Sequence, residues 1–173
     1  MSLKSRFEIP KLLPKNSIGI ELGVATGYYS EILLKSQKFL KLFSIDRWSD
    51  HHGIDEYLCA ARLLSKYDSN SILIRSTFKD IIHLFPEQYF DFIYIDAYAH
   101  TGQENGQILE DWFPKLKNGG IFSGHDYEKE FWPQTFNAVT QFCQNNHLGI
   151  NIAHGINGGV NNEDQWMSWY SFK

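Results

Sequence analysis

One corner constrains this chain more than anything else in it. Ile18 to Ser30 reads as an apolar run carrying the acid Glu21, two glycines, Gly23 and Gly27, with Val24, Ala25 and Thr26 between them, and then Tyr28, Tyr29 and Ser30. Ile32, Leu33 and Leu34 begin a helical apolar pattern, so the spacing predicts strand, glycine turn and helix. Glycine accepts positive φ and lets backbone approach a ligand, and the free N–H groups of the following helix point into the same crevice. This is how a chain cradles a nucleotide. An ordinary β-to-α turn with an incidental acid is the plainer alternative.

The rest of the chain repeats the alternation. Phe39 to Ile45 is expected as a second strand, stopping at Asp46, nineteen positions past Gly27. A carboxylate there can accept both hydroxyls of a ribose. Trp48 beside it is suited to flank an adenine or to sit half-buried at the surface. Ile54, Tyr57, Leu58, Ala61 and Leu64 fall at helical spacing. Ser71 to Arg75 is the third strand, and Ser76 or Thr77 caps a short helix carrying Phe78, Ile81, Ile82 and Phe85 before Pro86. Phe90 to Ile95 is nearly all apolar, as a strand covered on both faces should be, and ends at Asp96. A helix with Ile108, Leu109, Trp112 and Phe113 follows. The turn Lys117 to Gly120 then leads into a strand from Ile121 to Ser123. Gly124-His125-Asp126-Tyr127 lies at its carboxyl end. Pro133 opens a helix through Phe142. Leu148 to Ala153 and Trp166 to Phe172 are two more strands with no helix between them, hence antiparallel.

Composition excludes several classes. The net charge of -4 and pI of about 5.9 leave no basic surplus to release counterions from a nucleic-acid backbone. With 173 residues, 43% of them hydrophobic, one domain over 1–173 is expected, with 1–16, which holds Pro10 and Pro14, as an arm or short helix. Cys59 and Cys143 suit buried reduced thiols. Lys4 and Arg6 precede no leader-like apolar run, and no stretch reaches the roughly eighteen apolar residues of a membrane helix. A cytoplasmic protein is expected. His51 and His52, adjacent on a polar loop, suit solvated surface better than metal ligation.

Taken in order, these features resemble the class I S-adenosylmethionine-dependent methyltransferases. The features are Glu21-Leu22-Gly23 to Gly27, Asp46, Asp91 to Asp96, and Leu116 to Gly120. The resemblance covers Ile18 to Phe172 and implies an α/β, Rossmann-like, doubly wound seven-stranded sheet in the order 3-2-1-4-5-7-6, its last strand antiparallel. Within that superfamily, Ile95 to His100 followed by Gly124 to Tyr127 looks most like the small-molecule O-methyltransferases that include the macrolide-sugar methyltransferases and relatives of cephalosporin hydroxylase. His100 stands four residues past Asp96, one more than the usual interval in that group. The Asn/Asp-Pro-Pro-aromatic motif of nucleic-acid aminomethylating enzymes is missing.

The resemblance implies a division of labour. Glu21, Gly23 and the backbone at Ala25 would hold the amino-acid end of S-adenosylmethionine, Asp46 the ribose, and Ser76 or Thr77 the adenine edge, with Arg47 also among the cofactor-binding residues. Tyr29, with Tyr28, would line the sulfonium pocket or pack on the sheet. Asp96 would border the donor and act in catalysis with His100 as general base. Asp96, His125 and Asp126 would hold a divalent metal such as Mg²⁺. Strands four and five should be neighbours, and two converging carboxylates call for a cation or shared proton. Successive residues of an extended segment face opposite ways, so His125 has the option of turning aside. The function implied is methyl transfer to a hydroxyl of a small molecule, in a monomer or homo-oligomer. Two alternatives stay open. A nicotinamide-dependent oxidoreductase shares the corner and the distal acid, although its G-x-G-x-x-G needs glycine where Ala25 stands. A methyltransferase-like domain that binds without catalysis is the other, with Trp132, Trp166 and Trp169 as a partner surface.

Overall fold

The computed structural model describes residues 2–49, 51–67, 69–97, 103–156 and 162–173. The strands are β1 (Ser17–Leu22), β2 (Phe39–Asp46), β3 (Ser71–Arg75), β4 (Phe90–Ile95), β5 (Leu116–Gly124), β6 (Asn151–Ala153) and β7 (Ser168–Phe172). They form one sheet in the order β3-β2-β1-β4-β5-β7-β6. β1 to β5 pair in parallel, and β7 runs antiparallel to both β5 and β6. This is the Rossmann-like topology expected above. The helices are α1 (Tyr28–Lys35), α2 (Ile54–Leu64), α3 (Phe78–Ile81), α4 (Gln107–Trp112) and α5 (Pro133–Asn145). Among the described residues, no helix is long and apolar enough to cross a membrane.

Strand alternation feeds two apolar layers. Ile20, Leu22, Ile45, Ile93 and Phe122 pack with Ile81, Leu109, Trp112, Val139 and Phe142 from α3, α4 and α5. Phe39, Leu42, Phe92, Tyr94 and Tyr170 pack with Tyr29, Leu33 and Leu34 of α1, Leu64 of α2, and Ile9 and Leu13. Ile9 belongs to a 3-10 helix, Arg6–Leu12, which is what the lead-in arm becomes. Before it, Leu3 N donates to Ile152 O (3.0 Å) and His154 N to Leu3 O (3.0 Å), a single bridge on the outer side of β6.

Several expected boundaries shift. Lys117 to Gly120 lies inside β5, where the partner of β4 jumps from Leu116 to Ile121, so the turn is an outward excursion of a strand. β6 starts at Asn151 and β7 at Ser168, each two or three residues late. In α2 the buried positions are Ala60 and Leu64, while Ile54 and Leu58 stay 50% and 42% exposed, because the helix is rotated from the face its sequence favours. Cys143 is buried as expected, but Cys59, on α2, is exposed.

Candidate active site

The parallel strands end in a row that backbone hydrogen bonds stitch together. Ser76 N donates to Asp46 O (2.9 Å), Gly23 N to Ile45 O (2.9 Å), Asp96 N to Leu22 O (2.8 Å) and His125 N to Ile95 O (3.0 Å). The residues just past β3, β1, β4 and β5 therefore stand side by side at the carboxyl edge, where α/β sheets bind ligands.

Glycine is required at the first turn. Gly23 has φ +93°, and a Cβ there would lie 2.1 Å from the Asp96 carbonyl oxygen. Gly27, at φ +85°, closes the turn by donating its N–H to Val24 O (2.8 Å). Asp46 braces the loop: its Oδ2 accepts from Val24 N (2.9 Å) and Ala25 N (3.0 Å), and its Oδ1 from Trp48 N (3.1 Å). Asp46 thus ends β2 with its carboxylate engaged by backbone. Trp48 is 1% exposed, donates Nε1 to Ala25 O (2.8 Å) and meets Tyr57 edge-on. It anchors the loop from inside, neither flanking a surface base nor half-exposed. Arg47 is exposed, and its carbonyl accepts from Arg75 Nε (3.2 Å). Thr77, not Ser76, caps α3, accepting from Asp80 N (3.1 Å). It also lines a groove of about 480 Å³ with Gln107, Ile108 and Asp111, between α3 and α4.

Two expected donor contacts lie inside the protein instead. Glu21 is 1% exposed and accepts a short hydrogen bond from the Ser30 hydroxyl, which lies 2.8 Å from the Ser44 hydroxyl. Burial pushes its carboxyl up to about 8, with Asp96 and Asp46 close enough to add to the rise. Tyr29 packs on Tyr94 (4.4 Å between ring centroids) and donates its hydroxyl to Arg6 O (3.0 Å). Its ring face already carries a cation, the Arg6 guanidinium, 4.6 Å from the centroid. Of the two readings of Tyr29, sheet packing is the one observed.

The convergence of β4 and β5 gives an acid cluster. His125, 2% exposed, turns toward the acids: its Nδ1 lies 3.4 Å from Asp96 Oδ1 and 3.1 Å from Asp126 Oδ1. Asp126 takes φ +54°, a left-handed conformation that brings its carboxylate back beside His125. Burial opposes a charged imidazole, but the Asp96 charge and the hydrogen bonds to Asp126 and Asp96 outweigh it and push His125 up to about 9. Burial likewise opposes an ionised Asp96, yet His125, and then Arg6, hold it down at about 2. Ligand atoms of Asp96, His125 and Asp126 all lie within 4.8 Å of one another. Two carboxylates and one imidazole suit a divalent ion of the Mn²⁺ or Fe²⁺ kind as well as Mg²⁺. The buried His125 Nε2 has no hydrogen-bond partner among the described residues, so the ring is held from the cluster side alone. The donor set therefore fits a metal, with the imidazolium proton as the charge that a metal would replace.

Sequence reasoning missed the second half of this cluster. Arg6, 4% exposed, donates Nη1 to Asp96 Oδ2 (3.0 Å) and Nη2 to Asp164 Oδ1 (3.0 Å), and Tyr28 donates its hydroxyl to Asp164 Oδ2 (3.1 Å). Arg6, Asp96 and Asp164 are 90 and 158 positions apart in the relevant pairs, and no local pattern marks them. His100 lies outside the described residues. His52 pairs with Glu56 on the surface (3.0 Å), in keeping with a solvated loop.

Known proteins share the fold. A family model described as a methyltransferase domain matches residues 18–127. No curated protein sequence matches the chain. Among solved structures, precorrin-6y C5,15-methyltransferase from Geobacter metallireducens GS-15 is similar at TM-score 0.69 and 12% identity, covering 96% of this chain and 86% of that one. Spermidine synthase from Thermotoga maritima has the same TM-score at 15% identity, covering 98% of this chain and 61% of that one, so this chain spans about three fifths of its length. A SAM dependent methyltransferase from Aquifex aeolicus follows at TM-score 0.67 and 18% identity, covering 97% and 89%. At such identities the likeness is one of fold.

Proposed function

Since the chain belongs to the methyltransferase domain family, we propose that it binds S-adenosylmethionine at the Gly23–Gly27 corner and transfers the methyl group to a hydroxyl of a small molecule at Asp96. The observation that carries this reading is the junction itself: the Asp96 carbonyl lies against Gly23, and its carboxylate lies against His125. Donor corner and acid cluster share one residue.

When bound, the sulfonium supplies a methyl carbon open to in-line displacement, the C–S electron pair leaving with sulfur. The chain's task is then to align donor and acceptor, exclude water and handle the hydroxyl proton. The loop braced by Asp46 and Trp48 presents rigid backbone to the donor. Asp96, kept ionised by His125 and Arg6, is an acceptor for a substrate hydroxyl hydrogen bond. His100, four residues on in the sequence, is the candidate base. A metal at Asp96, His125 and Asp126 would lower the pKa of a coordinated hydroxyl.

Calorimetric titration of the full chain with S-adenosylhomocysteine and with NAD, each with and without Mn²⁺ or Mg²⁺, tests the reading. S-adenosylhomocysteine is expected to bind and NAD not. Binding of NAD alone would replace the donor with a nicotinamide. Binding of S-adenosylhomocysteine to both wild type and D96N, with no methyl transfer to any hydroxyl-bearing acceptor by wild type, would favour a binding domain.

A further inference from the structure

The carboxyl edge continues past the glycine turn into a second half. β3, β2 and β1 carry Thr77, Asp46 and the glycine turn, β4 and β5 carry the acid cluster, and beyond them lie β7 and the segment leading into it. That segment continues the pairing of β5 with β7: Tyr127 N donates to Met167 O (2.9 Å), and Met167 N to Glu128 Oε1 (3.3 Å). Ile156 N donates to Asp164 O (2.7 Å), which ties the segment to the chain just after β6. It places Trp166 beside the Asp126–Tyr127 turn and two residues from Asp164, which is bonded to Arg6. Trp166 meets Phe131 at 4.7 Å between centroids with an interplanar angle of 49°, and Trp132 at 5.8 Å and 84°. Phe131 is 57% exposed. Three rings set at different tilts form an aromatic shelf, exposed at Phe131, on the β7 side of the acid cluster.

Resting on the methyl-transfer reading above, we infer that Phe131 and Trp166, with Trp132 behind them, form the acceptor subsite and take the flat apolar face of a ring whose hydroxyl points to Asp96. In-line transfer requires the acceptor on the far side of the reacting centre from the donor. The shelf lies on the β5–β7 side of Asp96, and the glycine turn on the β1 side. Aromatic faces bind planar rings and the C–H faces of saturated rings alike. A second copy of the chain is the weaker occupant. Each ring offers about 150–250 Å² in all, part of it covered by its neighbours, whereas a stable interface takes about 800 Å² per partner.

The test uses the full chain with S-adenosylhomocysteine present, reading saturation-transfer NMR and tryptophan fluorescence. The probes are catechol, methyl β-D-glucopyranoside and the ringless propane-1,2-diol. A ring diol is expected to bind more tightly than propanediol. F131A should weaken it about three- to tenfold and W166A at least as much, with S-adenosylhomocysteine affinity unchanged. Response to catechol alone means an aromatic acceptor, and to the glucoside alone a saturated one; either supports the subsite. Phe131 is exposed, so F131A remains a fair test even if W166A fails to fold. Ring diols that bind no better than propanediol, or bind F131A as well as wild type, overturn the inference. So does a dimer, seen by sedimentation, that F131A dissociates. Failure of wild type to bind S-adenosylhomocysteine would instead strike the donor reading, and the same ring titrations without it still judge the shelf.

Discussion

Replacing Arg6 by methionine should cost more stability than any other single change in the N-terminal segment. Methionine keeps much of the apolar volume but removes the fork that joins Asp96 to Asp164 and the cation over Tyr29. Breaking a buried ion pair from one side costs about 3–5 kcal/mol, because the remaining charge stays desolvated. Asp96 is 22% exposed and retains His125, so water and the imidazolium soften its share. Asp164, 1% exposed, retains the Tyr28 hydroxyl and carries most of the cost. A loss of about 3 kcal/mol is therefore expected, which for a chain of this size lowers the thermal midpoint by roughly 6–12 °C. R6K keeps the charge without the planar fork and should recover about half. Urea unfolding and calorimetry of R6M, D164N and the double variant at neutral pH give the coupling energy directly. A loss under about 1 kcal/mol for R6M, or additivity within about 0.5 kcal/mol, would refute the clasp.

Three further outcomes are expected. Glu21 has its carboxyl raised to about 8 from 4.5, so its contribution is present below 4.5 and is lost as pH rises through 8. E21Q should gain on wild type by roughly 1 kcal/mol per pH unit across that window, read by urea titration. His125, raised to about 9 from 6.5, contributes stability that is complete below 6.5 and lost as pH rises through 9. Mn²⁺ binding, which needs that proton gone, should tighten by up to about tenfold per pH unit over the same range, read by calorimetry. G23A should lose about 2 kcal/mol or more, together with S-adenosylhomocysteine binding, since φ +93° and the Asp96 carbonyl both oppose a Cβ. G119A, at φ +78° with nothing within 4 Å, is the control for backbone strain alone and should lose only about 1 kcal/mol.

The sheet was legible because its cause is local. Runs such as Ser71 to Arg75 and Phe90 to Ile95 begin and end in the structure where their apolar pattern does. Strand order followed from the resemblance, which the parallel alternation and the final antiparallel pair supported. Boundaries failed where tertiary contacts decide, as at Lys117 to Gly120, which a jump in register folds into β5. The acid cluster was legible as three residues, but the shared direction of His125 and Asp126 was not, because the positive φ of Asp126 overrides strand alternation and brings its carboxylate to the side that His125 faces. Arg6 and Asp164 were invisible, since a buried ion pair between distant segments leaves no periodicity behind. Glu21 and Tyr29 sat at the expected positions, yet their side chains turn to Ser30 and Arg6, a choice made by packing under α1.

The Leu3 bridge to β6 has its own consequence. β6 is three residues long and would otherwise offer a bare ladder of amides to any passing strand. One residue of the N-terminal segment caps that rim, and the same segment carries Arg6 to the acid cluster. Trimming or burdening this segment would then do two kinds of harm together, inviting stray chains to stack on one flank while slackening the acid cluster some way off.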